Sequence, residues 1–262
     1  MDKRLPAAPP VIAPHAPLRR YYPDERDRKS FVREIFDNSA ADYDRVERTM
    51  ALGSGSWYRR QALRRAGLKP GMKVLDVAIG TGLVAREAMA LAGNSQLVFG
   101  VEPSAGMLAQ AVRQLSIRAV RGTGEQLPLA ADTFDFLSMG YALRHLSDLR
   151  AAFGEFYRVL KPGGTVCIIE ISRPAGKISA AALRWYMKNM VPMLSRLAGN
   201  SSQSPRLWQY YADTIEACIP PELVLDAMRD AGFVEVNRYV EWSVFSEYTG
   251  RKGEHTFGST SQ

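Results

Sequence analysis

Residues 74–85 read VLDVAIGTGLVA, and no other stretch constrains this chain as tightly. An apolar run ends on Asp76, turns through Gly80 and Gly82, and opens a helix. A carboxylate and bare backbone amides are thereby gathered around one small crevice at a strand-to-helix turn. Such a crevice suits a nucleotide-like cofactor.

The surroundings of that turn imply a sheet. Strands are expected over 73–78, 97–101, 117–120, 134–139 and 165–170, with helices opening at Gly82, Ser104 and Asp148 between them. Short apolar strands alternating with helices imply an α/β fold with a parallel, doubly wound sheet. Pro162-Gly163-Gly164 punctuates the chain before the last of these strands. Upstream, Phe31, Ile35, Phe36, Tyr43, Val46 and Met50 recur at mostly helical intervals, and a second helix over 57–66 stops at Gly67. Residues 30–69 therefore read as an N-terminal helical cap. Residues 1–29, rich in proline and without apolar periodicity to offset ordering entropy, read as a flexible tail, as do residues 251–262.

The cofactor-binding domain spans 70–250. Within it, 178–215 is a helical segment bearing Trp185, Tyr186, Met187, Met190, Met193 and Leu194, expected to cover the site. A helix over 221–231, Gly232 as its cap and an antiparallel hairpin over 233–248 close the domain.

At 262 residues and 46% apolar content the chain can bury a substantial core. Its apolar runs, such as 166–169, fall far below the ~18 residues of a membrane-spanning helix. Prolines interrupt the N-terminal stretch where a secretory signal needs a continuous apolar run. Cys167 and Cys218 show neither metal spacing nor a disulfide framework, so a reducing cytoplasm and no metal are expected. The formal charge of +7 includes Arg59, Arg60, Arg64, Arg65 and Lys69 with no acid among them. Helical spacing scatters these around the axis, the pattern of a solvated helix, and no nucleic-acid motif accompanies them.

Gly80-Thr81-Gly82 satisfies a relaxed dinucleotide fingerprint, and Glu102 stands twenty residues after Gly82, where a ribose-binding acid belongs. A nicotinamide cofactor therefore competes. Asp76 separates the cases: a pyrophosphate beside it would cost of order 4 kcal/mol at an effective dielectric of about 20. S-adenosylmethionine carries no phosphate, but an ammonium and a sulfonium that a carboxylate stabilises.

VLDVAIGTGLVA, GVEPSAGMLAQA, GTGEQLPLAADTFDF and RVLKPGGTVCIIEISRP resemble the successive motifs of class I S-adenosylmethionine-dependent methyltransferases. More narrowly, FDNSAADYDRVERTMALG, GYALRHLSD and PRLWQYYADTIEACIPPELVLDAMRDAGF resemble the UbiE-type ubiquinone/menaquinone C-methyltransferase family, over about residues 31–240. The resemblance implies a Rossmann-like, mostly parallel sheet of seven strands and methyl transfer from S-adenosyl-L-methionine to carbon of a hydrophobic phenol or quinol. It implies that Asp76, Ala78, Gly80, Thr81 and Gly82 shape the methionine end, that Glu102 holds the ribose, and that Met107 lies near the adenine. Thr123, Gly124, Glu125 and Met139 complete the set, and Tyr43 closes over it from the cap.

Several positions depart from the family pattern. Ala78 replaces a glycine, Thr123 the acid that contacts the adenine amino group, Glu47 an asparagine, and His145 the asparagine after Arg144; residues 242–248 replace a His-Arg-Gly ending. Methylation of oxygen or nitrogen on another small molecule or phospholipid headgroup stays open, as does cofactor binding without turnover. Arg144 and His145 follow the fourth strand at the edge where such sheets bind ligands. Arg144 is expected to hold a phenolate or polarise a water, and His145, with an ordinary pKa of about 6.5, to act as base. The structural alternatives are an Arg144 that caps a helix or pairs with Asp148, and a His145 that satisfies a backbone carbonyl. The apolar 178–215 segment and the basic charge lead to a lipophilic aromatic acceptor and to peripheral contact with the inner membrane face. Oligomeric state is left open.

Overall fold

Residues 11–50, 53–197 and 204–254 are described by the computed structural model, and one seven-stranded sheet organises them. Helices α1 (Arg28–Ser39), α2 (Tyr43–Met50) and α3 (Gly55–Arg65) precede β1 (Val74–Val77). The chain then runs through α4 (Leu83–Ala92), β2 (Val98–Glu102), α5 (Ala105–Leu115), β3 (Arg118–Arg121), β4 (Phe134–Gly140), α6 (Leu149–Val159) and β5 (Leu160–Ile171). It closes with α7 (Lys177–Trp185), α8 (Val191–Leu197), α9 (Ser204–Ala217), α10 (Pro221–Asp230), β6 (Phe233–Glu241) and β7 (Phe245–Lys252). Strand order is β3-β2-β1-β4-β5-β7-β6, parallel from β3 to β5, with β7 antiparallel to both of its neighbours.

The central strands are apolar on both faces because helices cover both. Val74, Phe136, Cys167 and Ile169 pack towards α3 and α4, while Leu75, Val77, Leu137, Val166 and Ile168 pack towards α6 and α10. Each large side chain buried this way contributes roughly 1.5–3 kcal/mol. The edge strand β3 reads RAVR and is largely exposed, and its two arginines blunt it against pairing. Strand order reverses between β2-β1 and β1-β4, which opens a crevice at the carboxyl ends of these strands.

The helical cap is fastened over that crevice by hydrogen bonds. Ser104 caps α5 by accepting from the Met107 amide (3.1 Å), and its hydroxyl donates to Asp37 Oδ1 (2.6 Å) at the end of α1. The same oxygen accepts from the Gly106 amide at 2.8 Å. Asp44 on α2 accepts from the Thr81 hydroxyl in the glycine loop. Sequence elements more than 35 residues apart thus meet on one short polar seam.

Four expectations need correction. Residues 11–29 are not a loose tail: the Ile12 amide donates to Asp148 Oδ1 (3.1 Å), the Ile12 carbonyl accepts from Leu149, and Tyr22 is buried. Proline-set extended backbone anchored by scattered partners carries no periodicity that would reveal it. Residues 1–10 and 255–262 lie outside the described residues, and β7 runs on through Lys252, whose ammonium meets Asp132 (2.7 Å). The Pro162-Gly163-Gly164 turn lies inside β5 as an irregularity: Phe134 pairs with Leu160 but Phe136 with Thr165. Three of the four arginines of α3 are paired, Arg59 with Glu47 (2.6 Å), Arg60 with Glu87 (2.7 Å) and Arg65 with Glu247 (2.5 Å), while Arg64 is exposed as a solvated helix would have it.

Between α7 and α8 lies a π turn, Tyr186–Met190. Pro192 has no N–H for the Lys188 carbonyl and its ring would crowd it, so the Val191 amide reaches back to Tyr186 instead. The inward face of this segment, with Met187 and Val191, joins Tyr22, Val32, Ile35, Trp208 and Tyr211 in a third apolar cluster beneath the cap.

Candidate active site

A cavity of about 580 Å³ occupies the crevice at the carboxyl ends of β1, β2 and β4, under the cap and α9. Asp76, Ala78, Gly80, Thr81, Glu102, Met107, Thr123, Gly124, Glu125, Tyr43 and His145 all line it.

Asp76 is 1% exposed. Its Oδ1 accepts from the Ser138 hydroxyl at 2.7 Å, while Oδ2 has no hydrogen-bond partner. Burial pushes its carboxyl up to about 7, against the opposing pull of the Ser138 hydrogen bond. Glu102 accepts from the Gly80 amide (2.9 Å) and the Ser104 amide (2.9 Å), and burial lifts it to about 7 as well. No cationic side chain offsets either carboxyl. An orphaned buried acceptor of this kind fits a ligand that brings its own positive charge. S-adenosylmethionine does so, and the donor set suits it.

Ala78 turns with φ of 54°, a left-handed conformation disfavoured for a residue with a Cβ. Gly82 does not line the cavity. It adopts φ of 94° at the start of α4, and a Cβ there would stand 2.3 Å from Leu115 Cδ1, so its smallness serves the approach of α5. Met139 is fully buried in the apolar core on the α6 side of the sheet and is absent from the lining.

Arg144 is likewise absent. It is fully buried and ion-paired to Glu170, not Asp148, with Nε donating to Thr214 Oγ1 (3.1 Å) and its guanidinium carbon 4.8 Å over the Tyr211 ring. It stands behind the wall where a phenolate-binding group was expected. His145 does reach the cavity, its Nδ1 3.3 Å from the Tyr210 hydroxyl and its Nε2 unpartnered. Burial and the neighbouring Arg144, Arg28 and His15 hold it well below the ordinary histidine range, so it is neutral and a weak base.

The structure adds Phe36, Arg59, Tyr141 and Tyr211 to the site and joins them to residues that the sequence had singled out. Phe36, Tyr43, His145 and Tyr211 form an aromatic box, with Phe36 5.2 Å from His145 and 6.1 Å from Tyr211 between ring centroids. The Tyr43 and Tyr211 hydroxyls are 3.0 Å apart. Glu47, Arg59 and Tyr141 line the same cavity, and Arg59 is only 4% exposed. Gly55 permits the Glu47–Arg59 approach, since a Cβ there would lie 2.5 Å from Glu47 Oε1. The charge complementarity of Glu47 with Arg59 could have been noticed; their meeting across two helices carried no local signal.

Similarity to known proteins agrees with this geometry. The profile of the ubiE/COQ5 methyltransferase family matches residues 23–249. The chain is 31% identical over 217 residues to the ubiquinone/menaquinone biosynthesis C-methyltransferase UbiE of Pseudoalteromonas translucida, covering 80% of this chain and 85% of that one. It is 34% identical over 186 residues to a demethylmenaquinone methyltransferase of Corynebacterium glutamicum, covering 71% and 78%. An S-adenosylmethionine-dependent methyltransferase of Thermotoga maritima shares the fold, with a TM-score of 0.59 at 22% identity, covering 84% of this chain and 99% of that one. A cavity fitted to a cationic donor, set in this sheet and carried by this sequence, makes the chain an S-adenosylmethionine-dependent methyltransferase belonging to the ubiE/COQ5 methyltransferase family.

Proposed function

We propose that the protein methylates a ring carbon of a lipophilic quinol. One observation carries the reading: a single cavity holds both an uncompensated buried carboxylate and an aromatic box. The carboxylate suits the donor, and the box suits a flat aromatic acceptor. Relatives named for ubiquinone, menaquinone and demethylmenaquinone chemistry support that class of acceptor. A quinol with a long apolar tail resides in a bilayer, so the protein collects it at a lipid surface.

S-adenosylmethionine, when bound, supplies an electrophilic methyl group on sulfur. Asp76 holds the donor's positive end and Gly80, Thr81 and Ala78 shape the loop around it. Glu102 spends one lone pair of each oxygen on a backbone amide, which leaves one on each for the ribose hydroxyls. Met107 and residues 123–125 border the adenine. A ring carbon becomes nucleophilic when the adjacent hydroxyl is ionised, and a cation must then hold the phenolate. Arg59 takes that role in place of Arg144: it faces the cavity and has a buried Nε without a partner. His145, in the tautomer that donates Nδ1–H to Tyr210, offers Nε2 as an acceptor that orients the quinol hydroxyl. Both positioning roles need water excluded, which the cap provides.

The test is to incubate the protein with methyl-labelled donor and a short-chain demethylmenaquinol, then locate the label by mass spectrometry. Label on ring carbon is expected. Label on oxygen, or transfer only to a non-quinol acceptor, would overturn the reading. Arg59→Met should lower kcat by roughly a hundredfold with donor affinity retained.

A further inference from the structure

The segment that packs against the cavity from outside has a second apolar face. Ile178 is 88% exposed, Trp185 59% and Met193 46%. They follow one another at intervals of seven and eight residues, a single stripe once the π turn has absorbed one residue. Exposed large side chains aligned this way on one helical face are unusual, since scattered single residues are the norm for a soluble surface. The opposite face of the same segment, through Met187 and Val191, belongs to the apolar cluster that includes Tyr211 of the aromatic box.

Within the segment itself the charge is all of one sign, and Glu216 from α9 is the acid that reaches it. From residue 171 to residue 212 there is no Asp or Glu, while Arg173, Lys177, Arg184, Lys188, Arg196 and Arg206 supply six cations. Arg173 and Arg184 share the carboxylate of Glu216, which comes from α9. Lys177 and Lys188 flank the apolar stripe and form no ion pair among the described residues.

We propose that the outer face of α7, its π turn and α8 docks the protein on an anionic lipid bilayer, with Ile178, Trp185 and Met193 entering the interface and Lys177 and Lys188 meeting lipid phosphates. The inference rests on the quinol reading in that it explains how a membrane-borne acceptor reaches the box. Charge decides the occupant. A second copy of the chain on this face would bring the same cations together across a two-fold axis and repel itself. A bilayer surface offers apolar depth and negative charge together, and an indole is the side chain best suited to its boundary.

The experiment is sedimentation of the full chain with vesicles of phosphatidylcholine, with and without phosphatidylglycerol, alongside light scattering of the protein alone. Binding to the anionic vesicles, weakening as salt rises, is expected. The pair Ile178→Ser and Trp185→Ser, and separately the pair Lys177→Glu and Lys188→Glu, should each lower partition by roughly tenfold or more. Both variants should melt as the parent does, because the changed side chains are exposed, and should keep turnover on a water-soluble short-chain quinol. A parent that does not bind anionic vesicles, variants that bind as well as the parent, or a solution dimer that the serine pair dissociates would each overturn the proposal. Failure of the quinol reading looks different: vesicles are bound but no quinol is methylated.

Discussion

Two buried ionisable pairs sit within a few residues of neighbouring strand ends, and their surroundings could hardly differ more. Asp76 and Glu102 face the cavity with no cation beside them and are pushed up to about 7 by burial. Arg144 and Glu170 are buried against each other behind the cavity wall, tied further to Thr214 and to the Arg28 side chain, which donates to the Arg144 carbonyl at 2.9 Å. The chain compensates one pair internally and leaves the other to a ligand. Compensated charge holds α9 and, through Arg28 and His15, the strap of residues 11–27 to the sheet; uncompensated charge selects what enters.

The sharpest way to break that contrast is to remove the compensation. Glu170→Ala strands a buried guanidinium and should lower the unfolding free energy by about 3–5 kcal/mol, measured by denaturant titration. Donor affinity of the folded protein should change less than about threefold, because the pair does not border the cavity. A far larger loss of affinity would place Arg144 in the site after all. Next in size, Asp76→Asn should raise the donor Kd by roughly a hundredfold, the loss expected for a charge contact in a low-dielectric site. Its unfolding free energy should hold or rise, since a buried acid with no cation beside it and one unpartnered oxygen has been neutralised. Asparagine binding the donor as tightly as aspartate would end the argument from charge.

A pH series sharpens the same contrast. Asp76 and Glu102 have folded values above their ordinary ones, so the folded state binds more protons than the unfolded state between about pH 4 and 7. Their share of stability is full below that window and is lost as pH rises through it. His15 has the opposite sign. Burial and Arg28 push it down to about 4, so its share is present above the ordinary histidine value and is lost as pH falls towards 4. The donor prefers ionised Asp76, so its affinity should climb by up to about tenfold per unit from pH 5 to 7 and level off above. Calorimetry in buffers of different ionisation enthalpy should detect proton release below pH 7, and Asp76→Asn should flatten the slope. An affinity independent of pH across that range would mean that the carboxyl is already ionised without its ligand.

These pairs also mark where sequence reasoning carries and where it stops. Asp76 was legible because it ends an apolar strand beside a glycine turn, and Glu102 because it ends the next strand at the spacing of a ribose-binding acid. The parallel, doubly wound sheet followed from the alternation of strands with helices, whereas the strand order came from the structure. Arg144 misled because its place after β4 is local information, whereas its partner Glu170 lies on the next strand and its shield, Thr214 and Tyr211, on α9. The Glu47–Arg59 pair and the aromatic box are assembled by the packing of α1, α2, α3 and α9, and no periodicity records such meetings. The strap over residues 11–27 escaped for a related reason: its hydrogen bonds end on Asp148, Leu149 and Ile219.

The smallest expected effect concerns the loop that joins the two carboxyls. Ala78 holds φ of 54° one residue past β1, where the methyl of its Cβ crowds the following carbonyl at a cost of roughly 1–2 kcal/mol. Glycine would remove that crowding but adds freedom to the unfolded chain worth about 0.4–1 kcal/mol. Ala78→Gly should therefore gain at most about 1 kcal/mol, visible as a small rise in melting temperature. Its more informative readout is donor affinity. Gly80 already donates its amide to Glu102, so the loop is held from both ends and the alanine adds little preorganisation. Affinity should stay within about threefold of the parent. A larger loss would show that the strained alanine stiffens the wall opposite Asp76, and the uncompensated carboxylate would then share its selecting role with the backbone beside it.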